Sequence, residues 1–234
     1  MNKALAFIIT VLFLTPCVSS GQLKGDAEAV ELAKRMIESI GGKELWARAR
    51  TLYVIEKSRH PRYGDGLMSE FWRDLQVPQE RFSIQNENMD YSKGWTEKGG
   101  WTVSKGDLQL KTAEEVATEE LRYWPGEIYV MYHRLAREDP TIRLSRGEDE
   151  GQFAAWEDES GRKLGTFWVN VEGEMYRWRH GDENDLTEYI YGPHTLFGNI
   201  SFPAWGTMYD GSWSFDYVEV RLFETPPPVS FDPP

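Results

Sequence analysis

Potentially reactive side chains are plentiful in this chain, but their spacing builds few reaction centres. His60, His133, His180 and His194 are its four histidines. None stands in the HExxH or HxH spacing that puts two imidazoles on one metal. Neither a GxSxG nucleophile elbow nor a phosphate-cradling glycine loop occurs. Ser160-Gly161-Arg162-Lys163 matches the SxxK arrangement of penicillin-binding enzymes. That motif has to open a helix, whereas here it falls in a turn between two strands, so the match reads as chance. Glu70 and Asp74 form a carboxylate pair of the kind a glycosidase uses. With 38 acidic residues such pairs are unavoidable, and this one carries little weight. The expectation is a non-catalytic protein with no cofactor and no metal.

The unusual resource is aromatic: ten Trp, eleven Tyr and eleven Phe. An ordinary core favours Leu, Ile and Val, because Trp is rarely buried whole. Rings offer broad, stiff apolar area, which suits a cavity for a hydrophobic guest. Trp-rich grooves also stack on sugar rings. The plainer alternative is that these rings only pack a sheet against helices. Phe71, Trp72, Trp95, Trp101, Trp124, Trp168 and Tyr189 are the candidates for lining a cavity.

The elements that must position them are mostly strands. From Gly165 to Pro234 the chain reads as GTFWVNV, EMYRWRH, LTEYIYG and a long aromatic run through Trp213–Phe223, closed by a proline-rich tail. Strands in such close succession pair antiparallel, since parallel pairs need a long crossover. In Trp213–Phe223 the apolar side switches from Trp213, Phe215 and Tyr217 to Val218, Val220 and Leu222. That switch calls for a bulge, a bend, or cover on both sides.

Upstream, Asp26 is a helix N-cap followed by apolar residues at helical spacing up to Gly41-Gly42. A short helix follows over Lys43–Arg50. Strands are expected at Thr51–Arg59, Gly66–Leu75, Arg81–Glu87 and Tyr91–Glu97, with Gly99-Gly100 as a hairpin turn into one strand, Trp101–Leu110. Thr112 and Glu115 form a capping box. The helix they open runs to Trp124, where Pro125 stops it. A second helical piece covers Ile128–Arg137, with Ile128, Met131, Tyr132 and Leu135 on one side. Strands resume at Thr141–Leu144 and Phe153–Asp158. The simplest arrangement is α+β: one antiparallel sheet with helices on one face, which a strong curvature would place on its concave side.

Residues 1–20 read as a secretory leader: a basic start at Lys3, an apolar run Ala4–Leu14, and small residues at Val18-Ser19-Ser20. Residues 21–234 then form one domain, exported to the periplasm. The only cysteine, Cys17, falls inside the leader, which excludes a disulfide framework in the mature chain. Leu14-Thr15-Pro16-Cys17 also loosely matches a lipoprotein cleavage box that would anchor the protein through Cys17, although proline before the cysteine fits poorly. The formal net charge of −12 repels nucleic acid and anionic headgroups. The acidic runs Glu148-Asp149-Glu150 and Asp182-Glu183 lack EF-hand spacing and read as solvated turns.

The order of several short signatures adds a family likeness. A helix closes on Ile40-Gly41-Gly42, and Arg50-Thr51-Leu52 enters the first strand. Lys93-Gly94-Trp95 and the Trp101 strand lead to the helix at Glu114. A hairpin passes through Glu172-Gly173-Glu174, Ser201-Phe202-Pro203 precedes the penultimate strand, and the chain closes on Phe231-Asp232-Pro233. In this order they resemble the LolA-like periplasmic family of lipoprotein carriers, receptors and sensors. The resemblance implies an incomplete antiparallel barrel with helices lidding its open side. It also implies a cavity that takes the acyl chain of a lipid or lipoprotein, with an envelope protein as the alternative partner. In the carrier a strand arginine helps hold the lid shut; Arg59, Arg73 and Arg81 align with it equally well here, and the role is carried over to none of them. A glycan-binding or glycan-active protein is the remaining alternative.

Overall fold

The computed structural model describes residues 22–181 and 187–234. The leader, Cys17 and the acidic Asp182-Glu183 pair lie outside the described residues.

A two-residue strand β1 (Lys24–Gly25) precedes helices α1 (Ala27–Ser39) and α2 (Lys43–Arg48). An antiparallel run follows: β2 (Thr51–His60), β3 (Gly64–Asp74), β4 (Gln79–Gln85), β5 (Asp90–Thr96), β6 (Gly99–Ser104) and β7 (Asp107–Lys111). Then come α3 (Ala113–Glu119), a 3₁₀ turn at Trp124–Gly126, and α4 (Ile128–Ala136). The chain returns to strands with β8 (Ile142–Arg146), β9 (Gln152–Glu157), β10 (Lys163–Val169) and β11 (Met175–His180). It ends with β12 (Glu188–Tyr191), β13 (His194–Phe197), β14 (Ile200–Pro203), β15 (Trp205–Met208) and β16 (Ser214–Phe223).

Among the described residues, fourteen strands make one sheet in the order β1-β8-β9-β10-β11-β12-β15-β16-β2-β3-β4-β5-β6-β7. Only β1–β8 is parallel. The sheet is open, with β1 and β7 as its edges. The hairpin β13–β14 leaves it and joins the helices on one face, called here the inner face. Its Phe202 packs among Trp46, Tyr129, Tyr132 and Tyr217, with centroid separations of 5.0–6.4 Å. Helix α4 is buried nearly all round, not along one side, because α1, α2 and the hairpin close over it.

The switch of apolar side in the last strand has a definite cause. The β16–β2 register shifts between Tyr217 and Glu219, leaving Val218 in a bulge, 53 % exposed. Phe215 and Tyr217 before it, and Val220 and Leu222 after it, consequently all face inward. Other expectations need correction. The Asp26 carboxylate does not cap α1; it accepts the Arg146 N–H at 2.8 Å and so ties the helix start to β8. Trp101–Leu110 is not one strand but two, turning at Lys105-Gly106, where both residues take positive φ. A two-residue hairpin needs that handedness, and lysine does not advertise it. Gly99 and Gly100 sit inside β6, not in a turn. The capping box at Thr112 is present with both of its bonds, but α3 ends at Glu119, short of Trp124.

Candidate functional site

Register decides which side chains meet, because directly opposed residues point to the same face. Across β2, β3, β4 and β5 the inner face carries cross-strand rows. Leu52, Arg73, Glu80 and Trp95 form one; Val54, Phe71, Phe82 and Lys93 the next; Glu56, Ser69, Ile84 and Tyr91 another. On the other side of β2, Tyr217 stands opposite Glu56 and Phe215 opposite Ser58. Further along, Gly206 opposes both Phe215 and Tyr191, and Trp178 opposes Tyr189. Gly206 must lack a side chain, since a Cβ there would lie 2.5 Å from Phe215 Cζ.

These rows, the start of α4 and the segment after α3 line a cavity of about 670 Å³. Part of its wall is aromatic. Trp178 and Tyr189 stack at 6.1 Å, Tyr189 meets Phe215 at 5.9 Å, and Phe71 meets Tyr129 at 5.7 Å. Phe82, Tyr91, Tyr123, Tyr191 and Trp213 complete it.

Most of the remaining wall is charged. Arg73 Nε donates to Glu80 Oε2 at 2.8 Å, and its Nη1 lies 2.6 Å from Glu127 Oε1. Lys93 Nζ lies 3.6 Å from Glu80 Oε1 and 3.1 Å from Glu120 Oε2. The result is an alternating chain, Glu127–Arg73–Glu80–Lys93–Glu120, crossing from α4 through the sheet to the end of α3. Glu127 also accepts the Tyr129 and Val130 N–H groups, so one carboxylate caps α4 and holds it to β3. The Tyr129 and Tyr217 hydroxyls bond at 2.7 Å and make a second tie from α4 to the sheet.

Burial and charge compete at each ionisable group. Burial favours a neutral Glu80, but Arg73 and Lys93 outweigh it and hold the carboxyl below its ordinary range. Burial likewise opposes the charges of Arg73 and Lys93, and the carboxylates around them win, pushing both upward. At Glu127 burial prevails over Arg73, so this carboxyl is raised. Glu56 is pushed up to about 7 by burial, with the Ser69 hydrogen bond and Arg73 offsetting only part of it.

The structure scatters the aromatic residues singled out from the sequence. Phe71 and Tyr189 are on the cavity wall. Trp95 faces the same side but lies outside the wall, against Gly100 and close to Val116 of α3. Trp124 is half-buried in the 3₁₀ turn; its neighbour Tyr123 lines the cavity instead. Trp72, Trp101 and Trp168 are on the outer face, because each falls on the opposite phase of its strand. Trp72 packs on Tyr53 at 4.2 Å and on Phe223 at 6.0 Å. Trp101 lies beneath the C-terminal tail, its Nε1 donating to Phe231 O at 2.7 Å. Trp168 sits beneath Arg177 and donates to Asp149. Of the arginines, Arg59 pairs with Asp216 at the surface and Arg81 reaches the tail at Ser230 O, while Arg73 alone of these lines the cavity. Glu70 is on the outer face bonded to Trp72, and Asp74 is buried against Arg50, so the carboxylate pair is not in a cleft.

Sequence reasoning missed Glu56, Glu80, Lys93, Glu120 and Glu127, and did not separate Arg73 from the other two arginines. A signal for Glu56 was there. It falls in phase with Leu52, Val54 and Ser58, so a charge stands on the buried phase of a strand. Buried charges are rare without a partner or a task.

No family model and no curated protein matches the chain. Among solved structures, it is similar to a DUF1329 family protein from Desulfovibrio piger, with 8% identity and a TM-score of 0.46. It is also similar to a putative outer membrane lipoprotein-sorting protein domain from Vibrio parahaemolyticus, with 8% identity and a TM-score of 0.34. In both cases 83% of this chain aligns with 92% of the other.

Proposed function

We propose that this protein binds the acyl part of a lipid or lipoprotein in the inner-face cavity and carries or holds it without catalysis. The observation that carries the reading is a cavity of about 670 Å³ with an aromatic wall and a charged wall. Its volume lies within the range of about 300–1,000 Å³ typical of small-molecule sites. A hydrocarbon guest gains about 0.8 kcal/mol for each methylene removed from water, so the aromatic wall supplies affinity without a charged anchor. On this reading the open sheet is an incomplete barrel and the helices are its lid. The lid is latched by Arg73–Glu127, Lys93–Glu120 and Tyr129–Tyr217. On this reading the leader expected over residues 1–20 carries the protein to the periplasm.

A second reading is an envelope sensor or scaffold with a protein partner. It is favoured by β7, a sheet-edge strand whose Leu108 and Leu110 are 48 % and 67 % exposed.

Mass spectrometry of the protein purified natively from its own cell envelope separates the two. The carrier reading expects a co-purifying lipid and uptake of a fluorescent acyl probe. Phe215→Ala and Tyr189→Ala weaken that uptake about tenfold, the scale of 1.4 kcal/mol, while Trp72→Ala on the outer face leaves it unchanged. A protein that is lipid-free and takes up no probe overturns the reading.

A further inference from the structure

Resting on the cavity reading above, we infer that the preferred guest is an amphiphile with a cationic ammonium head, seated against the Glu56 carboxylate among aromatic faces, and not a fatty acid anion. The charge inventory of the wall is the first reason. Glu56, Glu80, Glu120 and Glu127 face Arg73 and Lys93. Both cations are already engaged: Arg73 by Glu80 and Glu127, Lys93 by Glu80 and Glu120. His180 also lines the cavity, with its Nε2 3.4 Å from Tyr123 O. An anionic head entering here meets surplus negative charge in a medium that screens it poorly.

Glu56 is the second reason. It is 8 % exposed, it accepts a hydrogen bond from Ser69 Oγ at 3.3 Å, and among the described residues it has no ion-pair partner. A buried carboxylate without a countercharge is costly, and a cationic guest supplies that charge. Tyr191 and Phe215 line the same cavity, and ring faces attract cations, quaternary ammonium groups above all; the rings of Phe71 and Tyr129 already face the Arg73 guanidinium.

The ligand class is therefore a cationic nitrogen on a hydrocarbon body.

The test is calorimetric titration of the mature protein at about pH 8 with amphiphiles of equal dodecyl length: dodecyltrimethylammonium, dodecanoate and monododecanoylglycerol. The cation is expected to bind about tenfold or more tighter than the anion. Glu56→Gln removes most of that advantage and leaves the neutral glyceride unchanged. Glu70→Gln, on the outer face, changes none of the three, which separates seating in the cavity from attraction to an acidic surface. Dodecanoate binding as tightly as the cation overturns the inference, as does a cation affinity untouched by Glu56→Gln. Failure of all three amphiphiles to bind instead overturns the cavity reading on which the inference rests.

Discussion

Replacing Glu56 by glutamine removes a carboxyl whose hold on its proton depends on the fold. In the unfolded chain this group titrates near 4.5; in the folded protein, burial raises it to about 7. Below about pH 4.5 it is protonated in both states, and its favourable contribution to folding is fully present. As pH rises through 7 the folded protein must ionise a buried carboxyl, and that contribution is lost. At about 1.4 kcal/mol for each tenfold change in proton affinity, the loss amounts to about 3 kcal/mol. The Glu56→Gln side chain keeps the shape and the partner Ser69 but cannot ionise. The variant should therefore gain about 3 kcal/mol on the wild type between about pH 4.5 and pH 8, on top of any constant offset. Glu80, held low by Arg73 and Lys93, has the opposite dependence, losing its contribution as pH falls. It is common to both proteins and cancels in the difference. Arg73 on β3, Glu127 and Tyr129 on α4, and Tyr217 on β16 all act electrostatically on Glu56 and are likewise shared. Urea unfolding at stepped pH measures the two stabilities, and equal m-values show that the same surface is exposed. A difference that stays flat from about pH 4.5 to pH 8 refutes the reasoning. So does a glutamine variant that loses ground as pH rises, since that marks a carboxylate paired with a cation.

Arg73→Met leaves Glu127 and Glu80 buried with less countercharge, and should cost about 3–5 kcal/mol in urea unfolding. Adding Glu127→Gln should recover part of that loss, read as a coupling energy in a double-mutant cycle. Thr112→Ala breaks the capping box of α3 and should cost about 1 kcal/mol by the same assay. Removing residues 226–234 strips Phe231 O from the Trp101 indole, which is 1 % exposed in the intact protein. The truncated protein should lose about 1–3 kcal/mol and show red-shifted tryptophan emission. Gly206→Ala drives a Cβ into the Phe215 ring, and should weaken acyl-probe uptake before it unfolds the protein.

Much of the fold was readable locally. Strand period, glycine punctuation and the Thr112 capping box act over a few residues, and they located most strands and the starts of both later helices to within a few positions. Where local signals were weak, the reading slipped. Lys105-Gly106 turns a hairpin without an Asn-Gly or Asp-Gly label. Asp26 has the chemistry of a cap, yet its carboxylate serves a strand 120 residues away. The alternation along β3 itself sets Leu67 and Phe71 on one face and Met68 and Trp72 on the other. Which of those faces is inner it does not set.

That ambiguity accounts for the candidate site. Trp72, Trp101 and Trp168 are aromatic residues on strands, like Phe71 and Tyr189, and alternation puts them on a definite side of the chain. The side becomes inner or outer only when helices and the β13–β14 hairpin choose one face and the C-terminal tail covers part of the other. The residues of Glu127–Arg73–Glu80–Lys93–Glu120 come from α4, β3, β4, β5 and the end of α3, and no local rule links them. Cross-strand register brings Arg73, Glu80 and Lys93 close together, and the descent of α4 onto β3 adds Glu127. By itself, then, the sequence determined a mainly antiparallel sheet rich in rings, with a break in the phase of its last strand, because those follow from composition and short-range periodicity. Only the tertiary structure decided which rings face the cavity and that buried charge shares it, because both depend on long-range pairing and on which face is covered.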